Sequence, residues 1–215
     1  IIIALTGAVI GSFLNVCSRR IPAGESLVLP ASHCPQCNYP IRFYDNIPII
    51  SYVLLQGKCR HCRAGISLQY PLVELLTAIM ALLLFWKFGL NLKFLFSFVF
   101  TCSLIVITFI DFEHQIIPDI IFFLGIPIFF LMALFAMGIS WLDAVLGLLI
   151  GGGILYAIAL GYELIRKAEG MGGGDIKLLA MLGAFFGWQS LFFILFVSSF
   201  LGAIVGLTVI LIKGK

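Results

Sequence analysis

The chain has 215 residues, of which 62% are apolar and 11% charged, with a mean hydropathy of +1.17 and a net charge of +3. So large an apolar fraction, with 21 Phe residues among it, is more than a soluble core of this size can bury. We see no basic patch interleaved with aromatic residues, so we expect no nucleic-acid partner. The composition therefore predicts an all-α, polytopic helical bundle whose main partner is the lipid bilayer.

Seven apolar segments follow one another along the chain, and a helix needs roughly 20 residues to cross a bilayer. They are residues 1–18, 70–89, 91–110, 119–139, 143–164, 176–188 and 190–212. The sixth segment is short, and Gly187-Trp188-Gln189 separates it from the seventh. We expect three regions, namely a first span at 1–18, a small cytoplasmic domain at 19–69 and a multi-span domain at 70–215.

The distribution of basic residues predicts the orientation, because loops retained in the cytoplasm carry the excess of Lys and Arg. The polar loop at 19–69 contains six basic residues and is therefore placed in the cytoplasm. Alternating from there leaves only Lys87 and Lys93 outside, and the other 11 of the 13 basic residues inside. This asymmetry indicates a multi-pass protein of a cytoplasmic membrane, with Asp111 and Asp175 both at the cytoplasmic boundary.

The polar loop contains two Cys-x-x-Cys pairs, typical of a tetrahedral four-thiolate zinc site. Their residues are Cys34, Cys37, Cys59 and Cys62. Because the protein supplies all four ligands, the zinc would be structural and would stabilise a domain too small for its own core. Redox chemistry is the alternative. His33 and His61 are interpreted as neighbours of the cysteines, not ligands, and Cys17 and Cys102 as small buried apolar residues.

Two acidic residues flank Pro118, where the third predicted span gives way to the fourth. Asp111 lies at the end of an apolar run and, taken alone, is compatible with a solvated loop acid. Asp119 follows the proline, so we expect it in a first helical turn, where a carboxylate meets free N–H groups. Glu113 and His114 are predicted to be loop residues.

A further acidic residue, Asp175, opens a span directly after three glycines, Gly172, Gly173 and Gly174. Asp175 is compatible with a simple helix N-cap. The glycines suggest more, because they permit positive φ and let an extended peptide approach the backbone closely. By contrast, the glycines at 151–153 are predicted to allow close packing of two helices.

Two carboxylates about 3 Å apart share one proton, so that one activates water while the other polarises a carbonyl. This is aspartic protease chemistry, and Asp111 and Asp175 are the candidate pair. A zinc-anchored membrane transporter or scaffold using the same acids is the alternative. A transporter would place its site nearer the midplane and show internal repeats, and we find no convincing repeat.

Several stretches together resemble one family, in the same order along nearly the whole chain. They are Ser12-Phe13-Leu14-Asn15, the two Cys-x-x-Cys pairs, Tyr70-Pro71-Leu72-Val73-Glu74, the residues from Asp111 through Ile117-Pro118-Asp119, and Gly170 to Leu182. Gly172-Gly173-Gly174-Asp175 matches the GxGD signature of intramembrane aspartyl proteases. The chain thus resembles the bacterial type IV prepilin peptidases.

The resemblance implies an enzyme with two activities. It would remove the basic leader of prepilins or type II secretion pseudopilins after a glycine, at the cytoplasmic face of the inner membrane. It would then methylate the new N-terminus with S-adenosylmethionine. Asp111 and Asp175 match the catalytic pair, and Gly57 a position implicated in methyl transfer, although a turn before the cysteine pair explains Gly57 equally well. Glu74 and Glu25 are weaker candidates for the methyl-transfer site.

Overall fold

The computed structural model describes residues 1–167 and 172–213, apart from the side chain of Lys213. The chain forms two compact units, Ile1–Pro118 and Asp119–Lys215. This division differs from the expected boundary at residue 70. The reason is that the two helices after the polar loop pack with the first helix and so belong to the first unit.

The first unit consists of three long helices and an irregular polar loop. The helices are α1 (Ile2–Arg20), α3 (Gln69–Phe88) and α4 (Leu92–His114). Within the loop lie a short 3-10 helix, Phe43–Asn46, and the five-residue helix α2, Ile50–Leu54. Side-chain hydrogen bonds join the loop to the long helices, among them one from the backbone of Ile49 to Glu74 on α3.

Close packing of α1 against α3 depends on two glycines one helical turn apart. A Cβ on Gly7 would lie 2.9 Å from Ala78 Cα, and one on Gly11 would lie 2.7 Å from Glu74 Cα. Such small residues four apart let membrane helices approach closely, since lipid gives little hydrophobic drive for association. Buried Asn15 adds a hydrogen bond from its side-chain amide to the carbonyl oxygen of Tyr70, at 3.1 Å.

The described residues of the second unit form four α-helices. They are α5 (Asp119–Met132), α6 (Trp141–Arg166), α7 (Gly173–Phe186) and α8 (Trp188–Lys213). Helix α5 continues as a π-helix, Ala133–Met137, and ends at Gly138 in the left-handed conformation. Only Gly187, with φ of +80°, separates α7 from α8, which replaces the predicted three-residue break.

Glycines also bring α6 and α7 into backbone contact. A Cβ on Gly147 would meet the carbonyl of Gly183, and one on Gly151 would lie 2.5 Å from the carbonyl oxygen of Leu179. Gly152 faces the methyl group of Ala180, whereas Gly153 has open space around it. The prediction of close packing at 151–153 is therefore confirmed for the first two of these glycines.

The expected membrane helices are present, with corrected ends. Within the described residues, six helical segments are long and apolar enough to cross a bilayer. The sixth predicted span is the helix α7, which has only 14 residues and begins at Gly173 instead of residue 176. The prediction that Glu113 and His114 are loop residues is wrong, because α4 continues until Gln115 ends it with φ of +54°. The chain is thus a multi-pass, helical membrane protein.

Candidate functional site

The four cysteines of the polar loop form one cluster. All four Sγ atoms lie within 4.8 Å of one another, and Cys34 and Cys62, from different pairs, are 3.8 Å apart. A tetrahedral ion bound to four sulfurs needs ligands at about this mutual separation, given metal–sulfur distances of about 2.3 Å. The geometry of the cluster therefore fits a metal ion, as the spacing of the cysteines predicts.

The two cysteine pairs fold in the same way, at an offset of 25 residues. In each, the first cysteine donates its backbone N–H across the turn, from Cys34 to Tyr39 at 3.0 Å and from Cys59 to Ala64 at 2.8 Å. The residue after the second cysteine has positive φ in both, at Asn38 and Arg63. This local repeat was not recognised in the sequence, although HCPQCNYP and KCRHCRAG align without a gap.

The thiols differ in how readily they ionise. Backbone N–H donation from Cys62, followed by that from His61, lowers the pKa of Cys59 to about 7. At Cys37 the backbone of Tyr39 acts in the same direction, but desolvation and the side chains of Cys62, Cys34 and Cys59 outweigh it and raise the pKa to about 12. Four thiolates cannot crowd together without a compensating cation, so this donor set fits a bound metal.

Neither histidine next to the cluster belongs to the group of possible metal ligands in the described residues. His61 stacks on Tyr39, with ring centroids 4.6 Å apart and planes 5° apart, so it joins the two pairs through its ring. His33 contacts the carbonyl oxygen of Ala31 through Nδ1 at 3.2 Å. Cys17 is buried, as expected, and Cys102 is partly buried.

A cavity of about 660 Å³ lies in the first unit between the polar loop and the adjoining ends of α1 and α3. This volume falls within the roughly 300–1,000 Å³ of small-molecule sites. Charged and aromatic side chains alternate around it. Its lining includes Glu25, Glu74, Asp45, Arg19, Arg20, Arg60, Tyr39, Tyr52, Tyr70, Cys34 and Cys59. The sequence candidates Glu25 and Glu74 thus line one cavity, which also borders the cysteine cluster.

Glu74 is buried and already has one partner. Its Oε2 accepts a hydrogen bond from the backbone N–H of Ile49 at 2.7 Å. Ile49 has φ of +61° and ψ of −49°, and Ile50 donates to the carbonyl oxygen of Pro48 at 2.5 Å. This is a γ-turn of the strained, rarely populated kind, and a β-branched residue at its centre raises the strain. Glu74 therefore holds a strained turn at the edge of the cavity.

Gly57 does not line the cavity but supports a residue that does. It has φ of +66°, and a Cβ there would lie 2.8 Å from the hydroxyl oxygen of Tyr52. Tyr52 lines the cavity and donates its hydroxyl to the carbonyl oxygen of Ile66 at 3.3 Å. These contacts favour the interpretation of Gly57 as a turn beside the cysteine pair. Its connection to the cavity passes through the tyrosine.

Asp111 lies on the last turn of α4, exposed to solvent, in the first unit. Its backbone carbonyl accepts the N–H of Gln115 at 2.8 Å, which ends the helix. Because the helix extends past it, Asp111 is held by regular helical structure and is not a loop acid. A carboxylate on a helix end is fixed in direction more firmly than one on a loop.

Asp175 lies in the first turn of α7, exposed, in the second unit. The N-cap is Gly172, and the end of the helix has no side-chain cap, so the interpretation of Asp175 as an N-cap is wrong. The expectation of positive φ at the glycines is not met, because Gly172 has φ of −65° and Gly173 and Gly174 are helical. Gly172 and Gly173 nevertheless leave open space around them. Gly170 and Met171, which belong to the motif, lie outside the described residues.

Asp119 is the first residue of α5, as predicted, and forms an ion pair with Lys177 on α7. The start of α5 is thereby tied to the helix that carries Asp175. This pair was not foreseen, because 58 residues separate its members. Also unforeseen was the bidentate pair between Arg60 and Asp45, in which Arg60 Nη2 lies 2.6 Å from Asp45 Oδ1. No local pattern in the sequence indicates either contact.

Comparisons with known proteins agree with this arrangement. Residues 5–88 match the bacterial peptidase A24 N-terminal domain, and residues 98–207 match the type IV leader peptidase family. Three similar proteins are each named prepilin leader peptidase/N-methyltransferase. The protein from Pseudomonas putida is 36% identical over 96% of this chain and 80% of its own length. The proteins from Neisseria gonorrhoeae and Dichelobacter nodosus are 37% and 38% identical over 99% of this chain, and 82% and 84% of their own lengths.

No solved structure matches the chain. The two family models together cover both compact units and the cavity, and the relatives align from one end of the chain to the other. On this basis the chain belongs to the type IV leader peptidase family and is a membrane-embedded peptidase and N-methyltransferase.

Proposed function

We propose that this enzyme removes the basic leader of type IV prepilins or pseudopilins and then methylates the new N-terminus. Cleavage would follow a glycine at the cytoplasmic face of the membrane. The proposal rests on two features that occur together in this member of the type IV leader peptidase family. These are carboxylates exposed at the ends of two membrane-associated helices, at Asp111 and Asp175, and a cavity with charged residues in its lining beside a cysteine cluster.

For proteolysis we assign Asp111 and Asp175 as the catalytic carboxylates. The mechanism requires them to share one proton, as two neighbouring carboxyl groups do. The ionised carboxylate takes a proton from water, and the resulting hydroxide attacks the carbonyl carbon of the glycine at the cut site. The protonated partner donates a hydrogen bond to the carbonyl oxygen and then supplies the proton for the leaving amine. Both carboxylates belong to the proposed peptidase region, 70–215.

The open space at Gly172 and Gly173 supports this assignment, because an extended peptide can approach a backbone that carries no side chains. A glycine at the cut site of the substrate would suit the same narrow approach. The leader carries positive charge and is retained in the cytoplasm, so the bond to be cut lies at the cytoplasmic edge of the bilayer. The motif glycines Gly172, Gly173 and Gly174 would thus support the substrate from the start of α7.

For methyl transfer we assign the cavity of the first unit. S-adenosylmethionine, when bound, supplies the methyl group. The substrate amine must be neutral to attack it, and we assign Glu25 and Glu74, which line the cavity, as the carboxylates that take the proton. Gly57 contributes by leaving room for Tyr52.

For the cysteine cluster we propose a zinc ion in a structural role. Four protein ligands leave no coordination position for substrate, so the ion would organise the loop rather than act on a bond. The loop would face the cytoplasm of a bacterium, a reducing compartment that keeps thiols available for metal binding. The protein would then lie in the inner membrane, with both active sites on its cytoplasmic side.

Cleavage of a prepilin-like peptide in liposomes tests the peptidase assignment. The peptide would carry a basic leader, a glycine and an apolar helix. We expect native enzyme to cut after the glycine and Asp111→Asn and Asp175→Asn each to abolish the cut. The matched control is Glu163→Gln, which neutralises an exposed acid on the last turn of α6 and should retain most activity. If either catalytic variant keeps most of the native rate, the active site is assigned wrongly.

A further inference from the structure

We propose that a groove along α1 receives the first apolar residues of the cleaved substrate and leads its new amine into the methyl-transfer cavity. The inference rests on the proposed function and adds a binding site for the methyl acceptor. The groove is a second cavity of about 340 Å³ in the first unit. It lies along α1 between Val9 and Arg20, a distance of about 16 Å at 1.5 Å per residue.

The groove is apolar at one end. Val9 and Phe13 lie one turn apart on α1, with 59% and 52% of their surfaces exposed, and Val16 continues the same stripe. Leu27, Val28 and Pro30 of the polar loop form the opposite wall. This surface suits apolar side chains, and its volume admits a few side chains rather than a whole helix.

The wall of the groove is fixed by Arg20. Its guanidinium donates from Nη1 to the carbonyl oxygen of Ser26 at 2.8 Å and from Nη2 to that of Pro30 at 2.7 Å. Two hydrogen bonds from the Arg20 side chain thus hold the segment that carries Leu27 and Val28, one on each side of it. The groove is therefore a built feature of the loop, formed where the loop returns to α1.

The groove adjoins the methyl-transfer cavity. Five residues line both spaces, namely Ser12, Val16, Arg20, Ser32 and Asn46. Beyond this junction the cavity presents the carboxylates of Glu25 and Glu74. A ligand that fits both spaces has an amine at one end and apolar side chains directly after it. The N-terminus of a cleaved membrane helix has this order of groups, whereas a lipid acyl chain would fill only the groove.

Crosslinking tests where the substrate lies. A photoreactive benzoylphenylalanine replaces Phe13 in the groove or, as the control, Leu5. Leu5 is equally exposed, at 57%, and lies on the same stripe of α1, but it does not line the groove. With native-like liposomes and a pre-cleaved peptide, we expect a peptide adduct at position 13 and little at position 5. Adducts to lipid alone at position 13 would overturn the inference.

Kinetics of methyl transfer test whether the groove is used. Ala31 lines only the groove, so Ala31→Trp should fill it, with Leu5→Trp as the control. We expect Ala31→Trp to raise KM for a pre-cleaved acceptor with an apolar N-terminal segment by about tenfold, as loss of a small apolar contact does. KM for the methyl donor and the rate of leader cleavage should stay unchanged. A second acceptor with Ser and Gln in place of the apolar residues should bind both enzymes equally weakly.

The outcomes separate the two proposals. If native enzyme methylates neither acceptor, the proposed methyl transfer fails and this inference fails with it. If native enzyme methylates the apolar acceptor and Ala31→Trp gives the native KM, only the groove is overturned. If Ala31→Trp slows leader cleavage as much as it impairs methyl transfer, the groove does not serve the methyl acceptor specifically. The inference is then overturned as well.

Discussion

Gly57 and Ile49 both have positive φ, but their surroundings explain this in different ways. At Gly57 the missing side chain makes room for the Tyr52 hydroxyl, so the residue type and the conformation agree. At Ile49 they disagree, and a β-branched residue is kept in an unfavourable turn by the buried carboxylate of Glu74. Strain of this kind costs on the order of 1–3 kcal/mol and persists only where neighbouring contacts enforce it. Ile49 lines the cavity assigned to methyl transfer, and Gly57 contacts Tyr52, which lines it too.

We expect Gly57→Ala to abolish most methyl transfer while leader cleavage persists. The new Cβ would collide with Tyr52 at 2.8 Å and would also require a non-glycine residue at φ of +66°. Displacing the tyrosine changes the cavity but touches neither Asp111 nor Asp175. Transfer of a labelled methyl group to a pre-cleaved peptide, measured beside leader cleavage, checks this outcome.

Gly89→Ala is the matched control for Gly57→Ala, because Gly89 also has φ of +66° but a Cβ there has nothing within 4 Å and the residue does not line the cavity. If Gly57 acts through Tyr52, the variant Tyr52→Ala should lose methyl transfer too. The double variant should then be no worse than either single one, since the two changes remove the same contact. Full additivity of the two losses would show that Gly57 has a separate role.

At the scale of helices, the two units use the same packing device. Gly7 and Gly11 on α1 meet α3, and Gly147 and Gly151 on α6 meet α7, each pair spaced by four residues. In both cases the backbones approach so closely that any side chain would intrude. The sites of interest lie near the ends of these same helices. Glu74 is at the contact with Gly11, and Asp175 opens the helix that packs on Gly151.

We therefore expect Gly11→Ala to lower the thermal stability of the protein in detergent and to impair methyl transfer. The added methyl would press on Glu74 Cα, and overpacking of this kind costs roughly 1–3 kcal/mol. Gly202→Ala in α8 is the control, because that glycine has open space around it. There the change should be neutral or slightly stabilising, since alanine favours a helix. Equal melting temperatures for the two variants would contradict close packing at Gly11.

The polar loop depends on its cysteines in a way that metal analysis can measure. We expect purified native protein to contain about one zinc per chain and Cys62→Ser to lose most of it, because removal of one thiolate weakens a four-ligand site. The control is Cys102→Ser, which alters a cysteine on α4 outside the cluster. Methyl transfer should fall with the metal content. Retention of zinc by Cys62→Ser would show that the cluster is not the site.

For the whole molecule, the asymmetric distribution of Lys and Arg predicts the orientation. We expect a cysteine at Ser67 to react with a membrane-impermeant maleimide in inside-out vesicles, and one at Lys93 to be protected. Both positions are exposed to solvent in the structure, so burial would not distinguish them. In right-side-out vesicles the pattern should reverse. Labelling is read as a gel shift beyond that given by the native cysteines. Equal labelling of the two introduced cysteines in the same type of vesicle would contradict the predicted topology.

Much of the membrane architecture could be predicted from sequence, because span length and apolar composition are local properties. The cysteine cluster was predictable for the same reason. Helix ends were less so: α4 reaches His114 because Gln115 adopts a left-handed conformation, which its residue type does not indicate. The hydrogen bond between Ile49 and Glu74 and the shared lining of the two cavities depend on contacts between distant parts of the chain, which local sequence does not indicate. The spacing of Gly7 and Gly11, however, was a readable signal of helix packing that was overlooked.

The repeated form of the two cysteine pairs has one more consequence. A metal bound by both pairs would act as a crosslink that closes the intervening chain, from residue 38 to 58, into a ring. The chain-entropy model for crosslinks assigns about 3–4 kcal/mol to closing a loop of this length. That ring includes Ile49, which contacts Glu74, and Tyr52, which contacts Gly57. The ion would therefore limit the conformations of the polar loop, which forms one side of the cavity, without contacting the cavity's carboxylates. The helices that form the other side need no such restraint.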